Sequence, residues 1–286
     1  MRRHQFITLL GGAAAAWPLV VRAQQVEQMR HIGVIFGGPA SDSDIQARLA
    51  AFRQVLQQLG WTEGRNVRTE SRWGAGNADN TRKYAAELAA LTPDVILANG
   101  DVAAAQQLQA TRTVPIVFVI VPDPVGAGLV NNLSRPGGNA TGFLQFEYSL
   151  TAKWPELLKE IAPGVKRAAV LRDAASTSGI GQFAVIQYVA PSVGVEVSPI
   201  DLRDPGEIER AVTAFARSPD GGLIATAGAS SAVHRNLVIT LAARHKLPAV
   251  YSNGDFVTGG ALISYGPQFR RPVPARSGLR RSHTQG

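Results

Sequence analysis

The sequence has 286 residues, no cysteine and a formal net charge of +8 at pH 7. The excess charge lies at the two ends, because residues 1–23 carry three arginines, residues 267–286 carry five, and neither segment has an acidic residue. The part between them is neutral, which excludes a basic stripe along which nucleic acid could bind. The lack of cysteine excludes thiolate metal sites, cysteine nucleophiles and disulfides.

The amino terminus has the pattern of an export signal. Arg2 and Arg3 precede an uncharged run over residues 6–16, and Val21-Arg22-Ala23 follows with small residues at the cleavage positions. This pattern predicts a secretory signal peptide over residues 1–23 and a periplasmic mature protein. The run is shorter than the roughly 20 residues of a membrane span. Twin-arginine signals usually have one residue between the arginine pair and the phenylalanine, whereas two residues precede Phe6 here. Export by the Sec route and export by the twin-arginine route therefore both stay open.

From Arg30 onward, apolar strand patterns alternate with amphipathic helix patterns. Strands are predicted for "HIGVIFG", "NVRTESRWG", "PDVILANG" and "VPIVFVIVPDP". Helices are predicted for "DSDIQARLAAFRQVLQQLG", "NADNTRKYAAELAAL" and "DVAAAQQLQATR". Such an alternation predicts a parallel sheet covered by helices on both faces, because each parallel crossover carries a helix.

After "NATGF" the alternation begins again. Helices are predicted for "LTAKWPELLKEIAPG", "GQFAVIQYVAPSVG", "PGEIERAVTAFARS" and "SAVHRNLVITLAARHK". Strands are predicted for "KRAAVLRD", "VEVSPIDL", "GGLIATAG", "LPAVYSNG" and "GGALISYG". The fold class predicted is therefore α/β, with two doubly wound parallel-sheet lobes over residues 30–142 and 143–266 and a ligand cleft between them.

The loops that follow the predicted strands are rich in glycine, serine, aspartate and asparagine. Open parallel sheets bind ligands beyond the carboxyl ends of their strands, and free backbone N–H groups at helix starts suit an anion such as a carboxylate. The same residue types are also ordinary helix caps, so that structural alternative stays open for each residue.

No catalytic or nucleotide-binding motif occurs in the sequence. Gly33, Gly37 and Gly38 do not form G-x-G-x-x-G, and neither a P-loop nor a G-x-S-x-G elbow is present. His234 and His245 fall on one face of a predicted helix, but no acidic residue lies between them. We expect surface histidines there and no metal site, cofactor or enzyme activity.

Seven segments in order resemble a known family. They are "FITLLGGAAAAWPL", "AFRQVLQQLGWTEGRNV", "AAELAALTPDVILANG", "ATRTVPIVFVIVPDPVGAGLV", "LSRPGGNATGF", "KWPELLKEIAPGVKR" and "LAARHKLPAVY". Together they resemble the ABC transporter substrate-binding proteins of the tryptophan/tyrosine type. The resemblance implies a type I periplasmic binding fold with three inter-lobe crossings and a cleft that closes on its ligand by a hinge motion.

The resemblance also implies which residues contact the ligand. The first lobe should contribute Gly38, Ser41, Asp42, Asn99, Gly100, Asp101, Asp123, Pro124 and Thr141. The second lobe should contribute Asp173, Ser176, Thr177, Ala229, Ser230, Ser252, Asn253 and Asp255. Phe36, Phe143 and Phe256 are candidate aromatic walls, with core packing as the alternative. The loop after Ala227 has smaller residues than in relatives, which leaves the identity of the ligand open.

The function implied is that of an extracytoplasmic solute-binding protein of an ABC importer. Its ligand would be an aromatic or branched amino acid or a related compound. Its partners would be the permease and ATPase subunits, with no nucleic acid and with membrane contact only through the permease. The alternatives are a sensor domain or an enzyme on the same fold, or a truncated product without function.

The last residues depart from the resemblance. Relatives continue after "ISYG" with an amphipathic helix, a linker and a final strand and helix that return to the first lobe. The genetic code allows codons for residues 282–286 that spell Arg-Ile-Leu-Lys-Gly when they are read one base out of frame. This short sequence resembles the end of that helix in relatives. We therefore expect a frameshift shortly after Gly266, a first lobe without its return segment and a disordered basic tail over residues 267–286. A basic arm for nucleic acid or membrane is the alternative, and genomic DNA without a restorable frame would contradict the frameshift.

Overall fold

A computed structural model describes residues 29–267. The predicted signal peptide lies outside the described residues. The predicted basic tail also lies outside them, apart from residue 267.

The first lobe is built on a five-stranded parallel sheet with the strand order β2-β1-β3-β4-β5. The strands are β1 (Arg30–Phe36), β2 (Val67–Trp73), β3 (Val95–Asn99), β4 (Ile116–Val121) and β5 (Ala140–Leu144). The helices are α1 (Ser43–Gln58), α2 (Ala78–Ala90) and α3 (Asp101–Ala110). The chain goes from β1 to β2 on one side of β1 and then to β3 on its other side. The connecting helices therefore lie on opposite faces of the sheet, and a crevice opens at the carboxyl ends of the strands beside β1.

Strand β5 was not predicted as a strand. It pairs with β4 in parallel, and the pairing shifts register between Phe118 and Val121. The predicted lobe boundary between residues 142 and 143 lies inside this strand. Ile120, within the shifted stretch, has a backbone φ of 58°, which is unusual for a β-branched residue. The irregularity places Ile120 at the carboxyl end of β4, where the crevice begins.

The second lobe follows a single described crossing, a 3₁₀ turn over Tyr148–Ala152. Its parallel sheet has the order β7-β6-β8-β9. The strands are β6 (Arg167–Arg172), β7 (Glu196–Asp201), β8 (Gly221–Ala225) and β9 (Ala249–Tyr251). The helices are α4 (Lys153–Ile161), α5 (Thr177–Val189), α6 (Pro205–Phe215), α7 (Ala229–Val233), α8 (Arg235–Arg244) and α9 (Gly254–Thr258), with a 3₁₀ turn over Ala190–Val193.

Two predicted elements of the second lobe differ in the structure. The strand predicted from "GGALISYG" is wrong, since in this segment only Ser264 pairs with the sheet, through an isolated bridge to Tyr251. The helix predicted from "SAVHRNLVITLAARHK" is interrupted at His234, which separates α7 from α8. Gly259 and Gly260 at the start of the wrongly predicted strand favour a turn over a sheet position.

Each lobe has its own apolar core. In the first lobe, Leu88, Ile96 and Ile116 form part of one fully buried cluster, and a second lies on the other face of the sheet. In the second lobe, the largest fully buried side chain is Trp154, whose cluster covers one sheet face while Leu241 belongs to the cluster on the other. The predicted fold class, two α/β lobes with parallel sheets, is confirmed.

Candidate functional site

The carboxyl ends of the strands in both lobes face each other across a cleft. A cavity of about 90 Å³ lies in it, between the loops that follow β1, β3 and β4 and the loops that follow β8 and β9. This is where ligands bind in open parallel sheets. A larger cavity of about 600 Å³ lies within the second lobe, at the amino end of β9. Because this larger cavity lies away from the carboxyl ends of the strands, the cleft is the candidate site.

Seven of the predicted ligand-contact residues line the cleft cavity. They are Gly38, Asn99, Gly100, Asp101, Ala229, Asn253 and Asp255. These residues come from both lobes, and Asn99 ends β3 while Asn253 caps α9. The structure therefore brings the first-lobe and second-lobe sets together at one place.

Several other predicted residues have structural partners instead. Asp42 Oδ1 accepts the backbone N–H groups of Asp44 at 2.8 Å and Ile45 at 3.1 Å, which caps α1. Asp123 Oδ1 accepts the N–H of Gly126 at 2.8 Å. Ser41 lies exposed in the turn before α1. These side chains hold the loops around the cleft but do not line its cavity.

The other predicted residues of the second lobe lie outside the lining of the cleft cavity. Ser230 Oγ donates to Asp173 Oδ2 at 2.6 Å. Ser252 is fully buried, and its Oγ has no hydrogen-bond partner among the described residues. Thr177 lines a separate cavity of about 420 Å³ beside α3. Of this group, none lines the cleft cavity.

Thr141 and Pro124 belong to the first lobe and lie outside the cavity lining as well. Thr141 pairs with Val117 inside β5, and Pro124 is buried in the turn after β4. A residue that is paired within a strand interior cannot reach the crevice beyond the strand ends. Thr141 is therefore a support of the sheet in this structure.

The three candidate aromatic walls are not walls of the cleft. Phe36 is buried and stacks on Trp73 at 6.2 Å between ring centroids, and Phe256 is buried and stacks on Tyr251 at 4.7 Å. Phe143 is 71% exposed on β5. Of the two alternatives, core packing is the one that Phe36 and Phe256 adopt, and Phe143 is exposed and does not line the cleft cavity.

Asp101 connects the two lobes. It is the first residue of α3 and is 3% exposed. Its Oδ2 accepts a short hydrogen bond from Ser176 Oγ and another from the N–H of Ser178 at 3.4 Å, both in the second lobe. Ser176 in turn caps α5 by accepting the N–H of Gly179 at 3.1 Å. The carboxylate thus lies at the amino ends of two helices, where the helix dipoles favour a negative charge.

Charged side chains of both signs meet at the cleft between α1 and the second lobe. Arg235 Nη1 lies 3.4 Å from Asp44 Oδ2 and 3.9 Å from Asp255 Oδ2, and Arg48 Nη2 lies 3.7 Å from Asp255 Oδ2. Burial raises the pKa of Asp255, and the nearby Asp44 carboxylate raises it further. A cationic group brought to this position would favour the ionised form of Asp255.

Small residues let the two lobes approach each other closely. A Cβ added to Gly37 would lie 3.2 Å from Ala229 Cβ, and one added to Gly76 would lie 3.0 Å from Val233 Cγ2. Together with the hydrogen bonds of Asp101 and the ion pairs of Arg235, these contacts define a closed arrangement of the two lobes.

Three residues that were not predicted from the sequence also line the cavity, namely Arg48, Ile120 and Gln145. Arg48 lies on α1 beside the buried Leu49, so a basic residue next to an apolar stripe was the available signal. Gln145 follows β5, a strand that was not predicted. Ile120 carried no signal, because an isoleucine within a strand pattern reads as core.

Neither a metal-binding cluster nor a membrane-spanning helix occurs among the described residues. Among residues 29–267, no group of three or more histidine, cysteine, aspartate or glutamate side chains is placed to hold a metal ion. Burial lowers the pKa of His234, and His245 Nε2 lies 3.3 Å from Thr213 Oγ1. Over the same residues, no helix is long and apolar enough to span a membrane.

Comparison with known proteins gives one family match and several similar structures. The family described as "ABC transporter substrate binding protein" matches residues 32–271. A tyrosine-binding protein of Clostridioides difficile is 25% identical over 227 residues, which cover 77% of this chain and 63% of that protein's length. The chain thus spans less than two thirds of this relative.

Two solved structures have a similar fold. The ABC domain from Streptococcus pneumonia in complex with L-Trp has a TM-score of 0.74 at 22% identity, covering 85% of this chain and 80% of that one. A conserved domain protein from Vibrio cholerae has a TM-score of 0.72 at 26% identity, covering 83% of this chain and 78% of that one.

Proposed function

Since this chain belongs to the family of ABC transporter substrate-binding proteins, we propose that it binds a free amino acid in the cleft and delivers it to the permease and ATPase of an importer. The family consists of binding proteins, and we propose no catalysis. A chain that serves an importer works outside the cytoplasm, which agrees with the signal peptide predicted for residues 1–23.

The observation that carries this proposal is the pairing of opposite charges around one cavity. Asp101 and Asp255 supply carboxylates, Arg48 supplies a guanidinium group, and Asn99 and Asn253 supply amide groups. An α-amino acid carries an ammonium and a carboxylate on neighbouring atoms, so it can satisfy both signs at once. The raised pKa of Asp255 indicates that this carboxylate lacks full compensation in the present contacts.

The position of the site agrees with a binding function. Most lining residues sit at a strand end or near the start of a helix, and both lobes contribute to the lining. Closure around a ligand that touches both lobes is the usual hinge mechanism of two-lobed binding proteins. The tyrosine-binding relative and the L-Trp complex support an amino acid as the class of ligand.

The proposal is tested by titrating the full chain with each of the common L-amino acids and following binding by calorimetry and by the thermal midpoint. We expect at least one amino acid to bind without being chemically changed. Asp255→Asn and Arg48→Gln should each weaken that binding about tenfold or more, because each leaves one charge of the ligand unpaired.

Asp79→Asn is the matched control for these variants, since Asp79 pairs with Arg82 on the exposed face of α2 and does not line the cleft cavity. It should bind like the unaltered protein. Absence of binding by every amino acid would contradict the proposed function.

A further inference from the structure

We infer that Gln182 is a positioning residue for ligand binding, which fixes the second-lobe wall of the cleft through its side-chain amide. The inference rests on the proposed function and deepens it, because it gives a role in binding to a side chain that does not itself line the cavity. Gln182 lies on the buried face of α5 and is 0% exposed.

The first step is the bonding of this amide. Gln182 Nε2 donates to the backbone oxygen of Ala227 at 2.9 Å and to that of Ser178 at 3.0 Å, and Oε1 accepts the N–H of Ala227 at 2.9 Å. Because an N–H group can only donate and a carbonyl oxygen can only accept, one orientation of the amide satisfies all three bonds. The amide therefore binds both main-chain polar groups of Ala227.

The second step is the position of Ala227 in the chain. It lies two residues beyond the end of β8 and is 4% exposed, so the sheet no longer supplies partners for its main chain. A buried N–H or C=O group without a partner costs free energy, and Gln182 supplies partners for both groups of this residue. The amide thus fixes the direction in which the chain leaves β8.

The third step is the role of the segment that is fixed. Ala227, Gly228 and Ala229 line the cleft cavity from the second lobe. Ala229 also begins α7 and is the residue that a Cβ at Gly37 of the first lobe would meet. Holding Ala227 in place therefore holds the wall that closes against the first lobe.

The fourth step connects this wall to the first lobe. The N–H of Ser178 donates to Asp101 Oδ2 at 3.4 Å, while the carbonyl oxygen of Ser178 accepts the bond from Gln182. Hydrogen bonds therefore run from Asp101 through the start of α5 to the cavity wall. Buried polar groups that are bonded in such a chain hold one arrangement of the parts they join.

A second buried glutamine provides a matched control. Gln107 on α3 is also 0% exposed, but neither its Nε2 nor its Oε1 has a hydrogen-bond partner among the described residues. Methionine is an unbranched apolar side chain that adapts its shape to a buried position. Replacement by methionine removes the polar atoms at either position, but it removes hydrogen bonds to the cleft wall only at Gln182.

The test is calorimetric titration of the full chain and its variants, well below their thermal midpoints. The ligand is the common L-amino acid that binds the unaltered protein most tightly. Gln182→Met should weaken this binding about tenfold, because a wall that is no longer fixed must become ordered when the ligand binds. Gln107→Met should bind the ligand like the unaltered protein.

A purely structural role of Gln182 would lower the thermal midpoint of Gln182→Met and leave the affinity of its folded molecules unchanged. That result would overturn this inference and leave the proposed function standing. Absence of binding of every amino acid by the unaltered protein would overturn both. If Gln182→Met does not fold by circular dichroism, amide hydrogen exchange in the unaltered protein decides. Slow exchange of the Ala227 N–H supports the inference, whereas exchange at the rate of a free loop amide contradicts it.

Discussion

Asp94 ties the start of β1 to the loop before β3. Its Oδ2 accepts the N–H of His31 at 2.8 Å, and its Oδ1 accepts a hydrogen bond from Arg30 Nη1 at 2.6 Å. The backbone hydrogen bond from His31, and next the bond from Arg30, lower the pKa of Asp94 below its ordinary 3.8. Because the folded pKa is depressed, this stabilisation is complete above the ordinary pKa and is lost as the pH falls through the folded value.

We therefore predict that Asp94→Asn lowers the free energy of unfolding by about 1 kcal/mol at pH 7, a typical value for an exposed hydrogen-bonded carboxylate. The difference from the unaltered protein should shrink below pH 3.8. Urea unfolding of both proteins at several pH values measures it. Asp79→Asn, which removes one partner of an exposed ion pair, is the control and should leave the free energy of unfolding almost unchanged at every pH. An effect of Asp94→Asn that does not vary with pH would contradict this explanation.

At the scale of elements, α5 packs directly on the crossing between the lobes. A Cβ added to Gly181 would lie 2.2 Å from Tyr148 Cε2, so the tyrosine ring occupies the space of a missing side chain. Burial also raises the pKa of Tyr148 to about 12. The contact holds the 3₁₀ turn of the crossing against the first half of α5.

Gly181→Ala should lower the free energy of unfolding by about 1–3 kcal/mol, because overpacking outweighs the better helix propensity of alanine. Thermal or urea unfolding measures the change. Gly164→Ala is the control, since a Cβ there meets nothing within 4 Å and the residue has no strained φ. Equal stability of the two variants would show that the ring moves aside freely.

The elements themselves were largely predictable from sequence, and the site only in part. Periodicity located β1 and α1 because apolar residues repeat at strand and helix spacing there. It missed β5, a short strand with polar neighbours, and it could not show that Phe36 and Phe256 are core residues. Which loop residue lines the cavity depends on how two lobes pack, and no local pattern records that packing. Ile120 illustrates this, since its position follows from a register shift between two strands.

At the scale of the whole molecule, the lobes have separate cores, and polar contacts hold them together. The pair of Arg235 and Asp44 joins the second lobe to α1 at 3.4 Å, with side-chain exposures of 20% and 15%. A partly buried pair of this kind contributes about 1 kcal/mol, which changes the ratio of closed to open molecules about fivefold. We therefore expect this pair to favour the closed arrangement of the two lobes before any ligand arrives.

Arg235→Gln should accordingly shift the ligand-free protein toward open molecules and enlarge its radius of gyration in small-angle X-ray scattering. Arg244→Gln is the matched control, because Arg244 pairs with Glu209 inside the second lobe at 2.6 Å. It should leave the scattering unchanged. Identical scattering curves for both variants and the unaltered protein would show that the pair does not govern closure.

The contact between Gly37 and Ala229 has a consequence for how this protein can change in evolution. Because the two lobes meet where Gly37 has no side chain, a bulky residue there would press on Ala229 and hold the lobes apart. Such a replacement could leave each lobe correctly folded and abundant while the cleft no longer shuts. A single methyl group at this position asks the lobes to give by only a few tenths of an ångström, whereas a bulky side chain would keep the cleft from closing on its solute.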